Sequence, residues 1–300
     1  MNPILAQFNV GDHLVVLQAY STFYVLAWIV AVALGTVIAW RRGASWWRAL
    51  ATLGGALAVG IVGARLLDLG IAWRYYAEDP SRIYALQFRG FSLYGGLILA
   101  LAAGAVLSRA LHLPLWRLAD GAVPALAAGI VLMRTGCFLN GCCFGTVTSL
   151  PWGVTYPVGS PAWVQQLATG KTGLLGFAGA IKPVHPTQIY EMIAALTLCG
   201  LAMWLLLRRD SLRARRTPSG VPFLVFALGF TLFRFGNNYL RVRLPTIAAP
   251  AWFYPVLYLT ISAGVTGLIV WRLRHGSPAA AEDASSPGEG SPTGILSNIK

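Results

Sequence analysis

The sequence predicts an all-α membrane protein of about seven transmembrane helices, with its N-terminus outside and its C-terminus in the cytoplasm. Three observations carry this. Of 300 residues, 56% are hydrophobic and only 11% charged, and mean hydropathy is +0.63, outside the range of ordinary soluble domains. Apolar runs of about 20 residues, the length that crosses a bilayer, recur along the chain. The basic residues between them alternate between rich and poor loops.

The runs lie near 16–40, 48–70, 91–111, 119–139, 188–208, 219–240 and 251–273. The first precedes the first basic residue, Arg41. It therefore lacks the basic flank of a cleavable signal and is expected to remain in the mature protein. The second follows Arg41, Arg42 and Arg48. The third opens on Gly90-Phe91-Ser92-Leu93-Tyr94-Gly95-Gly96, where paired glycines let helices pack closely in lipid. The fourth ends in a Gly- and Cys-rich segment, the fifth opens at His185-Pro186, the sixth closes on Asn237-Asn238, and the seventh ends at Arg272 and Arg274.

One set of alternate connections holds Arg41, Arg42, Arg48, Arg109, Arg117, Arg208, Arg209, Arg213, Arg215, Arg216, Arg272 and Arg274. The other holds Arg74, Arg82, Arg89, Lys171, Lys182, Arg241 and Arg243. The first set is richer and sits in shorter loops, so it faces the cytoplasm by the positive-inside rule. The net charge of +13 then reflects the membrane surface rather than nucleic acid. Residues 1–275 read as a single transmembrane domain. Its long outer loop near 140–187 carries Trp152, Tyr156 and Trp163, and these aromatics favour order. Residues 276–300 are rich in Ser, Pro, Gly and Ala and read as a disordered cytoplasmic tail.

Arg65, Arg134 and Arg234 fall inside apolar runs. A guanidinium in hydrocarbon costs at least about 2.5–3.5 kcal/mol, and it forks well onto phosphate. A pocket for an anionic head group is the first expectation. Arg134 begins the run Arg134-Thr135-Gly136-Cys137-Phe138-Leu139-Asn140-Gly141-Cys142-Cys143-Phe144-Gly145. Its glycines allow sharp turns and exposed backbone N–H groups. A helix end with a snorkelling arginine would look the same. In the run His185 to Glu191, Pro186 suits a first helical turn. His185 and Glu191 are candidate bases, with Tyr94 as a relay, although a well-capped helix start fits equally. Arg234 and Arg241 lie seven residues apart, on one helix face. All these groups belong to the outer ends of their spans.

Cys137, Cys142 and Cys143 admit two readings, a disulfide or, together with His185, a metal site. The outer location favours a disulfide from Cys137 to one of the pair. A metal site is not expected, because C-x4-C-C is not a usual zinc spacing.

The motifs Gly63-Ala64-Arg65-Leu66, Ser92 to Leu97, Arg134 to Gly145, His185-Pro186-Thr187-Gln188-Ile189-Tyr190-Glu191 and Arg234 to Arg241 together resemble those of the bacterial prolipoprotein diacylglyceryl transferases. The resemblance spans roughly residues 15–272. It implies an inner-membrane enzyme that moves the diacylglyceryl group of phosphatidylglycerol onto the thiol of a lipobox cysteine and releases glycerol 1-phosphate, without metal or cofactor. It also implies phosphate binding by Arg134 and Arg234, supported by Asn140, Gly141 and Gly145. Gln188, Tyr190 and Arg241 complete the expected lipid site. The chain departs from the family at several polar positions. Tyr94 stands where a histidine is usual, Cys137 and Cys142 where an asparagine and a glutamate are, Phe230 for a tyrosine and Asn238 for a glutamate. Two other readings on this fold are an anionic-lipid-binding protein without catalysis and a cysteine-based redox or metal protein.

Overall fold

In this computed structural model, residues 3–10, 13–71, 73–81, 93–170, 181–211, 218–242 and 250–275 are described. The predicted tail, the Gly90 to Ser92 opening, and the loop positions Arg82, Arg89, Lys171, Arg213, Arg215, Arg216 and Arg243 lie outside them.

The long helices are α1 (Ala19–Arg41), α2 (Trp46–Ile71), α4 (Leu93–Ala110), α5 (Leu115–Asn140), α7 (Thr187–Ser211), α8 (Val221–Leu240) and α9 (Phe253–His275). Each falls where the sequence places an apolar run. By length and composition α1, α2, α5, α7 and α9 suffice to cross a membrane, and the apolar part of α4, Gly95–Ala110, is shorter. α8 carries Arg234, Asn237 and Asn238 in its last two turns, which lowers its hydropathy. Many large apolar side chains on these helices are exposed, among them Ile29, Ile98, Val106 and Leu207. Such a surface suits lipid rather than water.

Four elements lie beyond the predicted helices. An antiparallel hairpin, β1 (Ile4–Val10) and β2 (His13–Gln18), precedes α1. Its signal was the Gly11-Asp12 dipeptide between two apolar runs. The short helix α3 (Trp73–Glu78) follows α2, and α6 (Pro161–Ala168) lies in the 140–187 connection. α6 has Pro161 at its start and Ser160 Oγ accepting from the Trp163 N–H, a regular N-cap.

The helices pair as α1 with α5, α2 with α4, α5 with α7 and α8 with α9. α2 and α4 touch backbone to backbone. A Cβ on Gly63 would lie 2.5 Å from the Gly95 carbonyl oxygen, so both positions need glycine. At one end of the bundle Asp120, fully buried in α5, accepts the Gly220 and Phe223 N–H groups at 2.8 and 3.0 Å. It thereby caps the start of α8 from a neighbouring helix. Arg272 of α9 donates twice to the Ser219 carbonyl and lies over the Trp116 ring.

At the other end the described part of the 140–187 connection folds into a small lobe. Phe144, Tyr156, Ala162, Ile181 and Val184 form its core. Backbone bridges join Val184 to Val147 and Val154, and Gly145 to Arg241. This lobe sits over the ends of α5, α7 and α8.

Candidate active site

The site is built by helix ends. The last turns of α5 put Arg134 and Cys137 on one face, with Arg134 Nη1 3.8 Å from Cys137 Sγ. Gly141 then takes a left-handed conformation at φ +69° and ends the helix. The Cys142 N–H reaches back to the Cys137 carbonyl, as in a Schellman-type turn. Cys143 is left-handed too, at φ +61°, which is unusual for a residue other than glycine. At Gly145 the chain crosses closely under the lobe. A Cβ there would meet His185 Cβ at 2.6 Å and the Leu240 carbonyl at 2.7 Å.

The first turn of α7 grips this segment. Thr187 Oγ1 donates to the Cys143 carbonyl at 2.6 Å. Gln188 Nε2 donates to the Cys142 carbonyl at 2.6 Å and to Tyr156 Oη at 3.0 Å. Thr187 and Gln188 are buried. One helical turn further, Glu191 is 1% exposed and forms the hub of the site. Its Oε2 lies 2.6 Å from Arg134 Nε, and its Oε1 lies 2.7 Å from Arg234 Nη1 and 3.5 Å from Arg241 Nη1. Asn237 Nδ2 donates to the same Oε1 at 3.1 Å. Arg234 also donates to Tyr258 Oη of α9 at 3.2 Å.

Three guanidiniums and one carboxylate give this cluster a formal charge of +2. A buried excess of that size suits an anion held by forked N–H donors. Gln188 Oε1, Asn237 Oδ1 and Asn238 Nδ2 are buried without a hydrogen-bond partner among the described residues. Beside the cluster runs an apolar groove of about 470 Å³ between α7 and α8, lined by Tyr190, Ile193, Ala194, Thr197, Leu198 and Phe233. Tyr190 and Phe233 are the chain neighbours of Glu191 and Arg234.

The structure brings together Arg134, Arg234, Arg241 and Glu191, as the sequence suggests. Arg65 belongs to a different group: its Nη1 donates to Tyr76 Oη, which donates to Asp68 Oδ2. His185 is joined to Tyr190, with Nδ1 3.2 Å from Tyr190 Oη, and Trp152 Nε1 donates to that hydroxyl at 2.8 Å. Tyr190 Oη accepts from Trp152, which leaves its own proton free to point toward His185 Nδ1. Asn140 closes α5. Tyr94 lies in the first turn of α4, and its side chain is outside the described residues. Asn237 and Tyr258 were missed as partners, because their roles depend on contacts across helices rather than on any local pattern.

All four cysteines are free thiols, so the expected bridge from Cys137 is not formed. Instead the Sγ atoms of Cys137, Cys142 and Cys143 gather within 4.8 Å of one another. In the turn beyond α5, hydrogen bonds from the Cys137 and Cys142 thiols, with Arg241 and Arg134 nearby, hold Cys143 well below the ordinary thiol range. Cys142 is pushed up by its hydrogen bonds to Cys137 and Cys143 and by burial. Burial also raises the Tyr156 hydroxyl to about 12.

Apolar spanning helices that converge on a buried arginine–carboxylate cluster define a multi-pass membrane protein. The chain belongs to the prolipoprotein diacylglyceryl transferase family, whose model matches residues 7–271. Among curated relatives, the phosphatidylglycerol–prolipoprotein diacylglyceryl transferase of Synechococcus elongatus is 29% identical over 272 residues, covering 89% of this chain and 88% of that protein. The proteins of the same name from Geobacter sulfurreducens and Dehalococcoides mccartyi are 32% and 30% identical. They cover 77% and 89% of this chain, and 81% and 93% of their own lengths.

Proposed function

We propose that this chain is a bacterial inner-membrane transferase that moves the diacylglyceryl group of phosphatidylglycerol onto the cysteine thiol of a prolipoprotein lipobox. In that reaction the acceptor sulfur forms a bond to the glyceryl carbon. The carbon–oxygen bond to phosphate breaks, and glycerol 1-phosphate leaves with its negative charge. The observation that carries this reading is the Glu191 hub. One carboxylate orients three arginines, so their remaining N–H groups are aimed before lipid arrives. Such preorganised positive charge lowers the barrier where negative charge develops on the leaving phosphate.

Arg134 and Arg234 are the phosphate clamp, with Arg241 beside them. Glu191, first expected as a base, has both oxygens engaged by cations and acts as a positioning residue. Asn237, Asn238 and Gln188 offer polar atoms to the glycerol head group. Asn140, Gly141 and Gly145 shape the turn under it. The groove between α7 and α8 takes an acyl chain. His185 and Tyr190 form the hydrogen-bonded couple of this end, and His185 Nδ1 is the proton acceptor for the incoming thiol through Tyr190 Oη. The role of Tyr94 as a relay belongs to the same proposal. The substitution itself calls for no cofactor, and the partners are membrane lipids and the lipobox peptide rather than nucleic acid.

Seven spans, an outside N-terminus and a cytoplasmic C-terminus fit the basic loops. They put the arginine cluster at the outer leaflet, where a lipobox emerges after export. A second reading, an anionic-lipid binder without transfer, rests on Tyr94, Phe230 and Asn238 standing where the family has other polar groups. Complementation separates the two. The chain should support growth and lipoprotein maturation in cells depleted of their own transferase. Stable expression without maturation would favour the second reading.

A further inference from the structure

The cysteine cluster is not used by the reaction above, and its geometry points to another chemistry. We propose that Cys137, Cys142 and Cys143 bind one thiophilic divalent cation of the zinc type through three sulfurs, leaving the fourth coordination position open. The three Sγ atoms already lie within 4.8 Å of one another. A tetrahedral ion with bonds of about 2.3 Å to sulfur needs sulfur–sulfur separations of about 3.8 Å. Small side-chain rotations close that gap.

The backbone holds the ligands in place. Cys137 is anchored in α5 and buried. Two left-handed corners, at Gly141 and Cys143, fold the chain back so that the other two thiols return to it. The second corner costs about 1 kcal/mol at a residue with a Cβ, and glycine would relieve it. Thr187 and Gln188 fix the carbonyls of Cys143 and Cys142, as supporting groups do around bound metals. Three thiolates and a divalent ion carry a charge of −1, and Arg134 Nη1 near Cys137 Sγ offsets it.

A disulfide is the weaker use of this arrangement. It would join two sulfurs and strand the third. Between the neighbours Cys142 and Cys143 it would also need Cα atoms at least about 4.4 Å apart, whereas adjacent residues lie about 3.8 Å apart. The C-x4-C-C spacing differs from zinc-finger spacings because the ligands come from a helix end and its capping turn. Binding replaces each S–H bond still present by an S–metal bond and releases that proton to solvent, with no change of oxidation state.

The test uses the reduced full-length protein in detergent, freed of metal with a chelator. Zn2+ is titrated against a chromophoric competitor, and Cd2+ is added separately to read sulfur-to-metal charge-transfer absorption. The proposal expects one ion per chain, the charge-transfer band, and protection of three thiols from alkylation while Cys199 keeps its metal-free rate. Cys137→Ser, Cys142→Ser and Cys143→Ser should each weaken binding by more than about 100-fold, since outer-shell changes alone cost about 10–100-fold. Cys199→Ala should bind as wild type. Alkylation protection is read on the wild-type protein and stands even where a serine variant misfolds. Absence of protection, substoichiometric binding, or serine variants that fold and bind normally would each overturn the proposal.

Discussion

Glu191 Oε2 and Arg134 Nε stand 2.6 Å apart, and this contact joins the first turns of α7 to the end of α5. The arginine therefore reaches its position from a partner more than fifty residues away in sequence.

Arg134→Ala and Arg234→Ala should each lower lipid transfer by at least about 100-fold, the effect of losing one preorganised donor to a developing anion. Lysine at either site should recover only part, because a point charge replaces a fork. Turnover of a lipobox peptide with defined phosphatidylglycerol measures both. Near-normal rates in an alanine variant would remove the phosphate clamp.

Glu191→Gln keeps the shape and removes the charge that balances three guanidiniums. Breaking one side of a buried ion cluster costs about 3–5 kcal/mol. The variant should melt markedly lower in detergent and should be partly restored by added anionic lipid, which supplies the missing charge. Unchanged melting would mean that the cluster is not the structural hub.

The groove between α7 and α8 should report on acyl chains. Ala194→Trp fills it and displaces about two methylenes, worth about 0.8 kcal/mol each. KM for long-chain phosphatidylglycerol should rise about tenfold, while a short-chain lipid is little affected. Equal effects on both lipids would detach the groove from the tail.

Cys143 should alkylate with unusual pH dependence in the metal-free protein. Its partners Cys137, Cys142, Arg134 and Arg241 depress its thiol. A depressed group is already ionised at a pH where an ordinary thiol, with a pKa of about 8.5, is mostly protonated. Site-resolved labelling should therefore climb less steeply with pH at Cys143 than at Cys142, whose thiol is raised. A tenfold rise per pH unit at Cys143 would contradict the arrangement.

Asp120→Ala strips two backbone N–H groups of their buried acceptor, and each stranded donor costs about 1–3 kcal/mol. Stability should fall, and Asp120→Asn, which keeps one acceptor oxygen, should fall less. The turnover of molecules that remain folded should hardly change, because fourteen residues of helix, about 21 Å, separate Asp120 from Arg134. Comparison of melting with specific activity separates the two effects.

The helices were legible because lipid demands long uninterrupted apolar runs, and a period of that length survives without knowledge of packing. Arg134 and Arg234 were legible for the inverse reason, as charges standing where lipid penalises them. Arg65 carried the same signal but is bound to Tyr76, so the penalty marks a partner without saying which. The positioning role of Glu191 was hidden, since a glutamate in the first turns of a helix looks like a dipole partner until three arginines from two other helices meet it. The left-handed turn at Cys143 was hidden as well, because cysteine gives no local hint of positive φ. Asp120 gave no warning either: its cap serves a helix that starts a hundred residues later.

α8 is held at its start by Asp120 and near its end by Glu191. A rod fastened at two points cannot pivot or slide without releasing one of them. Entry of a two-tailed lipid and exit of a larger lipidated peptide both require the bundle to part somewhere. A seam along the α5–α7–α8 frame would have to break the contacts of Asp120 or of Glu191.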